Sequence, residues 1–332
     1  MNGARVEVRR GGLIESEHRV HIAVADGTGR LRATAGDAKR ACFARSAIKA
    51  IQAIPLIEDG AADTFAMTEQ EIALCCASHS GEEKHVERVA ALLWRLGLGE
   101  GALACGPQVP FHEPSAEQLR AHGLEPSRLH NNCSGKHAGM LALARAHGWS
   151  TAGYHTAAHP VQQRMLEEMA HWCALPVDDI GTAVDGCGVV TFHVPLAALA
   201  CAFGRLARSA RSGGNAAGRV VQAMLRWPEY VAGTGRLCTR LMQVADGRIF
   251  AKVGAEGMYC AGVPGAELGI ALKVEDGAKR AAEPALIAVL HQLGLLSEDE
   301  MAELDCFAEP DVKNTRGEVV GSVRAVIALE AH

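Results

Sequence analysis

A chain of 332 residues is long for one hydrophobic core and accommodates one large two-lobed domain or two domains. Its 48% hydrophobic share is that of an ordinary globular protein. A net charge of −5 with no basic tail or stripe argues against a nucleic-acid partner, and the apolar runs are too short and too interrupted to span a membrane.

Met1 to Glu7 hold no apolar signal core, so the expected location is the cytoplasm. In that reducing compartment eleven cysteines point to free thiols, metal ligands or catalysis rather than a disulfide framework. Arg5 to Arg9 and His18 to Ala25 alternate in the manner of strands. Asp26-Gly27-Thr28-Gly29 then turns the chain into a third strand at Leu31 to Ala35, which gives an antiparallel meander.

A helix follows from Ser46 to about Glu58, with Gly60 as its stop. Ser46 and Lys49, three apart, share one face with Cβ atoms roughly 5–6 Å apart. A lysine in its free-amine form can take a serine's proton, and the serine can then attack a carbonyl. The flanks Ala47, Ile48, Ala50, Ile51, Ala53, Ile54 and Leu56 favour burial of the pair. Only eight residues of the chain are lysine, so a lysine within a motif carries weight. The blander reading is a capping serine and a lysine whose stem lies along apolar surface.

Thr68-Glu69-Gln70-Glu71 is a capping box opening a helix that runs into Cys76-Ala77-Ser78-His79-Ser80-Gly81-Glu82. Two readings stand for that segment. It delivers a second catalytic serine, Ser78, into a cleft, or it is a solvent-facing loop in which Ser80 caps the next helix, Glu83 to Leu96. Pro107 to Pro114 is an irregular link, and Ser115 to Gln118 cap a short helix. The densest run of reactive side chains is Leu129 to Met140, where Cys133, Lys136 and His137 fall on one side of a helix start. It has neither the leading glycine and GK[ST] ending of a P-loop nor a Cys-x-x-Cys knuckle. After a helix from Pro160 to Ala174, Cys187 sits between two glycines at a tight turn beside Asp185. Cys133 and Cys187 are the best candidate pair of soft metal ligands; a buried thiol and a plain turn are the structural alternatives.

Pro195 to Ala207 and Asn215 to Trp227 read as helices and Val231 to Arg236 as a glycine-rich bend. Strands are expected at Arg240 to Ala245, Ile249 to Val253, Met258 to Gly262 and Leu268 to Val274. A helix from about Pro284 to Leu293 and a last strand, Glu318 to Ala328, complete the chain. The class is therefore α/β in the α+β sense. An antiparallel sheet is built from both chain ends (about 1–45 and 236–332), with a mostly helical lobe (about 46–235) inserted in one two-lobed domain.

The order Ser46-x-x-Lys49, Ser78-His79-Ser80, Lys252-Val253-Gly254 loosely follows the S-x-x-K, S-D-N, K-T-G signature of serine β-lactamases and penicillin-binding proteins. A closer resemblance covers nearly the whole chain. Arg45-Ser46-Ala47-Ile48-Lys49, Cys76 to Glu82, Asn132-Cys133-Ser134-Gly135-Lys136-His137, Asp185-Gly186-Cys187-Gly188 and Lys252-Val253-Gly254-Ala255-Glu256-Gly257 are similar to the rhizobial-type, class 3 L-asparaginases of the asparaginase II group. That resemblance implies a serine β-lactamase-like fold, a homodimer, and hydrolysis of L-asparagine to L-aspartate and ammonia. It implies two Ser–Lys tandems, Ser46 with Lys49 and Ser78 with Lys252, and a zinc site of Cys133, Lys136 and Cys187. It also implies positions around the substrate for Arg45, His137 and Asp185. No motif position departs from the pattern. Two readings from other classes remain. One is a β-lactam- or peptidoglycan-handling acyltransferase, against which stands the missing export signal. The other is a non-catalytic zinc or amino-acid binding protein, which would bind asparagine without releasing ammonia.

Overall fold

The computed structural model describes residues 4–332, and the reading of residues 1–3 lies outside the described residues. The chain divides into two compact units, each visited more than once. The chain up to Ala47, Val194–Arg208 and Arg240–His332 make the first; Ile48–His193 and Ser209–Thr239 make the second. Among the described residues no helix is long and apolar enough to cross a membrane.

The strands in chain order are β1 (Arg5–Arg10), β2 (Leu13–Asp26), β3 (Leu31–Ala35), β4 (Ala41–Phe43), β5 (Gly181–Val184), β6 (Val190–Pro195), β7 (Phe250–Val253), β8 (Met258–Val263), β9 (Leu268–Val274), β10 (Asp311–Lys313), β11 (Val319–Val326) and β12 (Glu330–Ala331). The helices are α1 (Lys49–Glu58), α2 (Ala61–Thr64), α3 (Glu69–Cys75), α4 (Glu83–Arg95), α5 (Glu113–Ala121), α6 (Ser134–Ala146), α7 (Pro160–Cys173), α8 (Leu196–Ser212), α9 (Ala216–Arg226), α10 (Pro228–Val231), α11 (Leu237–Val244), α12 (Lys279–Gln292), α13 (Glu298–Glu303) and α14 (Asp305–Ala308).

The first unit is an antiparallel sheet in the order β10-β11-β1-β2-β9-β8-β7, with β3 beside β2 and β12 beside β3. Both chain ends contribute to it, as the α+β reading of the sequence expects. β2 is long enough to serve twice: Leu13 to Arg19 pair with β1, and Val20 to Asp26 pair with β9. Val20 and Ile22 to Ala25 are all buried, the pattern of a strand covered on both faces. α12 packs across β1, β8, β9 and β11.

The second unit is built around α1. Every residue from Lys49 to Leu56 is buried, and the helix is surrounded by α3, α6, α7 and α9. A helix apolar on all sides belongs in a core. Burying Ile51, Ile54 and Leu56 contributes about 1.5–3 kcal/mol each. Lys49, at its first residue, is carried into that core with them. α3 and α6 approach closely where α6 has no side chain of its own: a Cβ on Gly135 would lie 2.2 Å from the Leu74 carbonyl oxygen. That contact ties the end of α3, and so the Cys76–Glu82 segment, to the start of α6.

Several elements differ from the sequence reading. Arg240 to Ala245, expected as a strand, lies in and just after helix α11. Leu237, Cys238, Leu241 and Met242, with Ala245 just beyond its end, are the buried apolar residues, a spacing that follows the helical repeat. Ser46 is not in the α-helix but in a 3₁₀ turn, Arg45–Ile48, that leads into it. α12 begins five residues before Pro284 and takes the proline into its interior. Ser80 is not a cap: the N-cap of α4 is Glu82, and its N–H donates to His85 Nδ1 at 3.1 Å. The solvent-facing reading of Cys76–Glu82 also fails, since all seven residues are buried.

Gly135→Ala gains about 1 kcal/mol of helix propensity and forces the two backbones apart, a strain of about 3 kcal/mol. The net expectation is a loss of about 2 kcal/mol in a denaturant titration. A variant as stable as the wild type would show that α3 and α6 do not meet in this way.

Candidate active site

Lys49 is fully buried and its Nζ donates three hydrogen bonds within the second unit. The acceptors are the Ala77 carbonyl at 2.5 Å, Ser78 Oγ at 3.2 Å and Cys133 Sγ at 3.0 Å. The α3–α6 contact makes this convergence possible, because Ala77 and Ser78 follow α3 and Cys133 is the N-cap of α6. Ser78 is held by its own N–H, which donates to the Val231 carbonyl at 3.0 Å. Arg236 Nη1 reaches the Ser78 carbonyl at 3.5 Å and Ser80 Oγ at 3.4 Å.

From Cys133 the chain of contacts continues. Its thiol donates to Asn132 Oδ1 at 2.9 Å, and next to Cys133 the Lys136 Nζ donates to Cys187 Sγ at 3.0 Å. Cys187 lies in the five-residue loop of the β5–β6 hairpin, where Gly188 takes φ +93° and its N–H donates to the Asp185 carbonyl at 2.8 Å. Glycine suits that left-handed position because it has no Cβ. The neighbouring Cys133 side chain brings Cys187 down to about 5, helped by the nearby Lys136 and Lys49 charges. The Cys187 side chain, with burial, pushes Cys133 up to about 12. Burial alone would depress Lys136, but the Cys187 and Cys133 sulfurs and Asp185 overturn that and hold it above its ordinary value. The expected catalytic lysine and the expected metal ligands are thus one buried network: Ser78, Lys49, Cys133, Cys187, Lys136.

As a metal site, two sulfurs and one amine converge without a disulfide. Among the described residues no three His, Cys, Asp or Glu side chains are placed to hold an ion, and the amine beside the two sulfurs is Lys136. Soft sulfur donors fit a thiophilic ion. Asp185 Oδ2 lies 3.7 Å from Cys187 Sγ, beside the cluster.

The other expected positions are placed as follows. His137, on the first turn of α6, is buried and its Nδ1 is 2.6 Å from the Tyr154 hydroxyl. Burial, then the Lys136 charge, brings it down to about 3, so its imidazole is neutral. Arg45, Ser46 and Lys252 belong to the first unit. Arg45 holds φ +49°, a left-handed conformation that costs a non-glycine residue about 1 kcal/mol or more. Lys252 is buried on β7 opposite Cys260, and its Nζ donates to the Val253 carbonyl at 2.8 Å. Sequence reasoning missed Tyr154, Arg236 and the support given by His79 and Ser134. Arg236 was legible only as the end of a glycine-rich bend, and nothing local marks Tyr154.

His79 is a fully accounted side chain. Gly81 N–H donates to its Nδ1 at 3.1 Å, so its proton is on Nε2, 2.9 Å from Ser134 Oγ, whose hydroxyl donates to the Leu129 carbonyl at 2.9 Å. Burial holds His79 well below the usual histidine range, and His85, stacked on it at 4.9 Å, is brought down to about 4. Both groups are protonated in the unfolded chain below about pH 6.5 but stay neutral in the fold. The unfolded state then binds more protons, so stability falls on acidification from about 6.5 toward 4, by about 1.4 kcal/mol per pH unit for each histidine. Urea titrations at pH 7 and pH 5 should show this, with a shallower dependence in His85→Gln; identical dependence in that variant would remove His85 from the account.

The family profile described as L-asparaginase II matches residues 6–325. Among solved structures, a crystal structure of Mglu is 18% identical with a TM-score of 0.37, covering 85% of this chain and 68% of the Mglu chain. A crystal structure of Mglu in its L-glutamate binding form has the same identity and TM-score, covering 85% of this chain and 62% of that one. No curated protein matches. The family match runs over nearly the whole chain, through both units and every residue of the buried network, and on that match the chain belongs to the L-asparaginase II family, a family of amidohydrolases.

Proposed function

We propose that this chain hydrolyses the side-chain amide of L-asparagine to L-aspartate and ammonia through a serine ester. The observation that carries the reading is the buried hydrogen bond between Lys49 Nζ and Ser78 Oγ. A carboxamide is a poor electrophile, and only an activated hydroxyl attacks it at a useful rate. With one proton gone, the Lys49 amine still donates to the Ala77 carbonyl and Cys133, and its lone pair is left for a serine proton. In this reading Ser46 carries the acyl group, as its spacing from Lys49 suggests, and Ser78 with Lys252 completes the proton-handling set. Arg45 pairs with the substrate's carboxylate, Asp185 with its ammonium, and His137 lies against it. The protein works in the cytoplasm as a homodimer, which sizing chromatography and light scattering test directly.

Cys133, Lys136 and Cys187 are the residues that would hold zinc in this proposal. Bound there, the ion would order the pocket and neutralise the two sulfurs. The nucleophile remains a serine. Holding the ion requires Lys136 to give up a proton that its surroundings favour, so uptake weakens as pH falls.

Lys49→Met should keep the fold, judged by circular dichroism, and lower ammonia release from asparagine by about a thousandfold or more. Turnover above a tenth of wild type would remove Lys49 from the chemistry. Acid-quenched enzyme, digested and weighed by mass spectrometry, should carry the acyl ester on the Ser46 peptide; recovery on the Ser78 peptide would move the nucleophile to the hydroxyl that Lys49 touches.

Elemental analysis should find about one zinc per chain, lost in Cys133→Ser and in Cys187→Ser. Cys187→Ser should raise KM more than it lowers kcat, whereas Cys133→Ser, which also takes a partner from Lys49, should lower kcat as well. Equal zinc in all three proteins would sink the site.

A further inference from the structure

His137 and Tyr154 form a buried pair whose hydrogen positions can be worked out from the protein alone. The Tyr154 hydroxyl has two partners among the described residues: the Ala104 N–H at 2.9 Å and His137 Nδ1 at 2.6 Å. The backbone N–H can only donate, so it takes a lone pair of the phenol oxygen. The phenol hydrogen then has one acceptor, Nδ1 of His137, which must be the bare nitrogen. The imidazole proton is therefore on Nε2. The opposite assignment, with Nδ1–H donating to the phenol oxygen, leaves two buried groups without partners: the phenol O–H and the Nε2 lone pair. The first assignment leaves one, the Nε2–H, which has no protein partner. His79, by contrast, has both ring nitrogens satisfied by the protein; His137 has one.

A buried N–H left open by the protein calls for an explanation. This one belongs to the residue that follows Lys136 on the first turn of α6, the helix that Cys133 caps. We propose that Tyr154 is a positioning residue: it fixes His137 as the Nε2–H tautomer, so that His137 offers that N–H to an oxygen of the substrate. The hydrogen bond at one imidazole nitrogen decides what the other presents. Two separate loops enforce it, because Tyr154 comes from the α6–α7 connection and Ala104 from the segment before α5. The substrate half of this inference rests on the amide-hydrolysis reading; the tautomer half does not.

The test uses the full-length protein labelled with nitrogen-15 in its histidines. Long-range nitrogen–proton spectra distinguish the two neutral tautomers, and the His137 signals are those missing from His137→Gln. The wild type should show Nε2–H, and Tyr154→Phe should show a mixture, with a thermal midpoint lowered by no more than a few degrees for the unpaired Ala104 N–H and a kcat/KM lowered by about tenfold. His137→Gln keeps an amide N–H on a side chain that Tyr154 no longer orients in this way. In that background Tyr154→Phe should therefore cost nothing further. An Nδ1–H tautomer in the wild type, an unchanged tautomer in Tyr154→Phe, or full additivity of the two substitutions overturns the proposal. If the wild type releases no ammonia, the amide-hydrolysis reading and the substrate role fall together, and the spectrum alone still decides the tautomer.

Discussion

The geometry of the candidate site depends on burying the Lys49 amine inside a helical core. Taking a charged amine out of water costs several kcal/mol even after relaxation, and only close acceptors offset it. Lys49 has three, from two segments that meet only because α3 and α6 pack backbone to backbone. Remove the contact at Gly135 and the acceptors separate. The packing and the candidate chemistry are in this sense a single constraint.

Charge compensation continues beyond Lys49. Cys133 lies between it and Cys187, and Cys187, 3.0 Å from Lys136 Nζ, is the sulfur held below its ordinary value. Along the network the two sulfurs lie between the two lysines, so each amine has a sulfur beside it. A soft ion bound among those sulfurs would alter the surroundings of Lys49 through one intervening atom. A substitution at Cys133 therefore touches both functions assigned to the site, and one at Cys187 chiefly one of them.

The buried histidines show the same economy. His79 has a partner for each ring nitrogen and serves to hold the Cys76–Glu82 segment against the start of α6. His137, on the first turn of α6, is neutral for the same reason of burial but keeps one nitrogen open.

The sequence by itself determined a good deal of this protein. Alternation at both ends predicts the antiparallel sheet, the Thr68 capping box predicts the start of α3, and the spacing of Ser46, Ser78, Cys133, Cys187 and Lys252 in ordered motifs points to the family. These are local signals, carried by neighbouring residues. Tertiary structure alone decided that Lys49 meets Ser78 and Cys133, 29 and 84 positions away, and that Tyr154 holds His137. It also decided that Arg240 to Val244 coil rather than extend, and that Ser46 sits in a 3₁₀ turn. The physical reason is the same in each case. A hydrogen bond inside a core joins groups that become neighbours only after the apolar faces have packed, and no local pattern records which helix will lie against which.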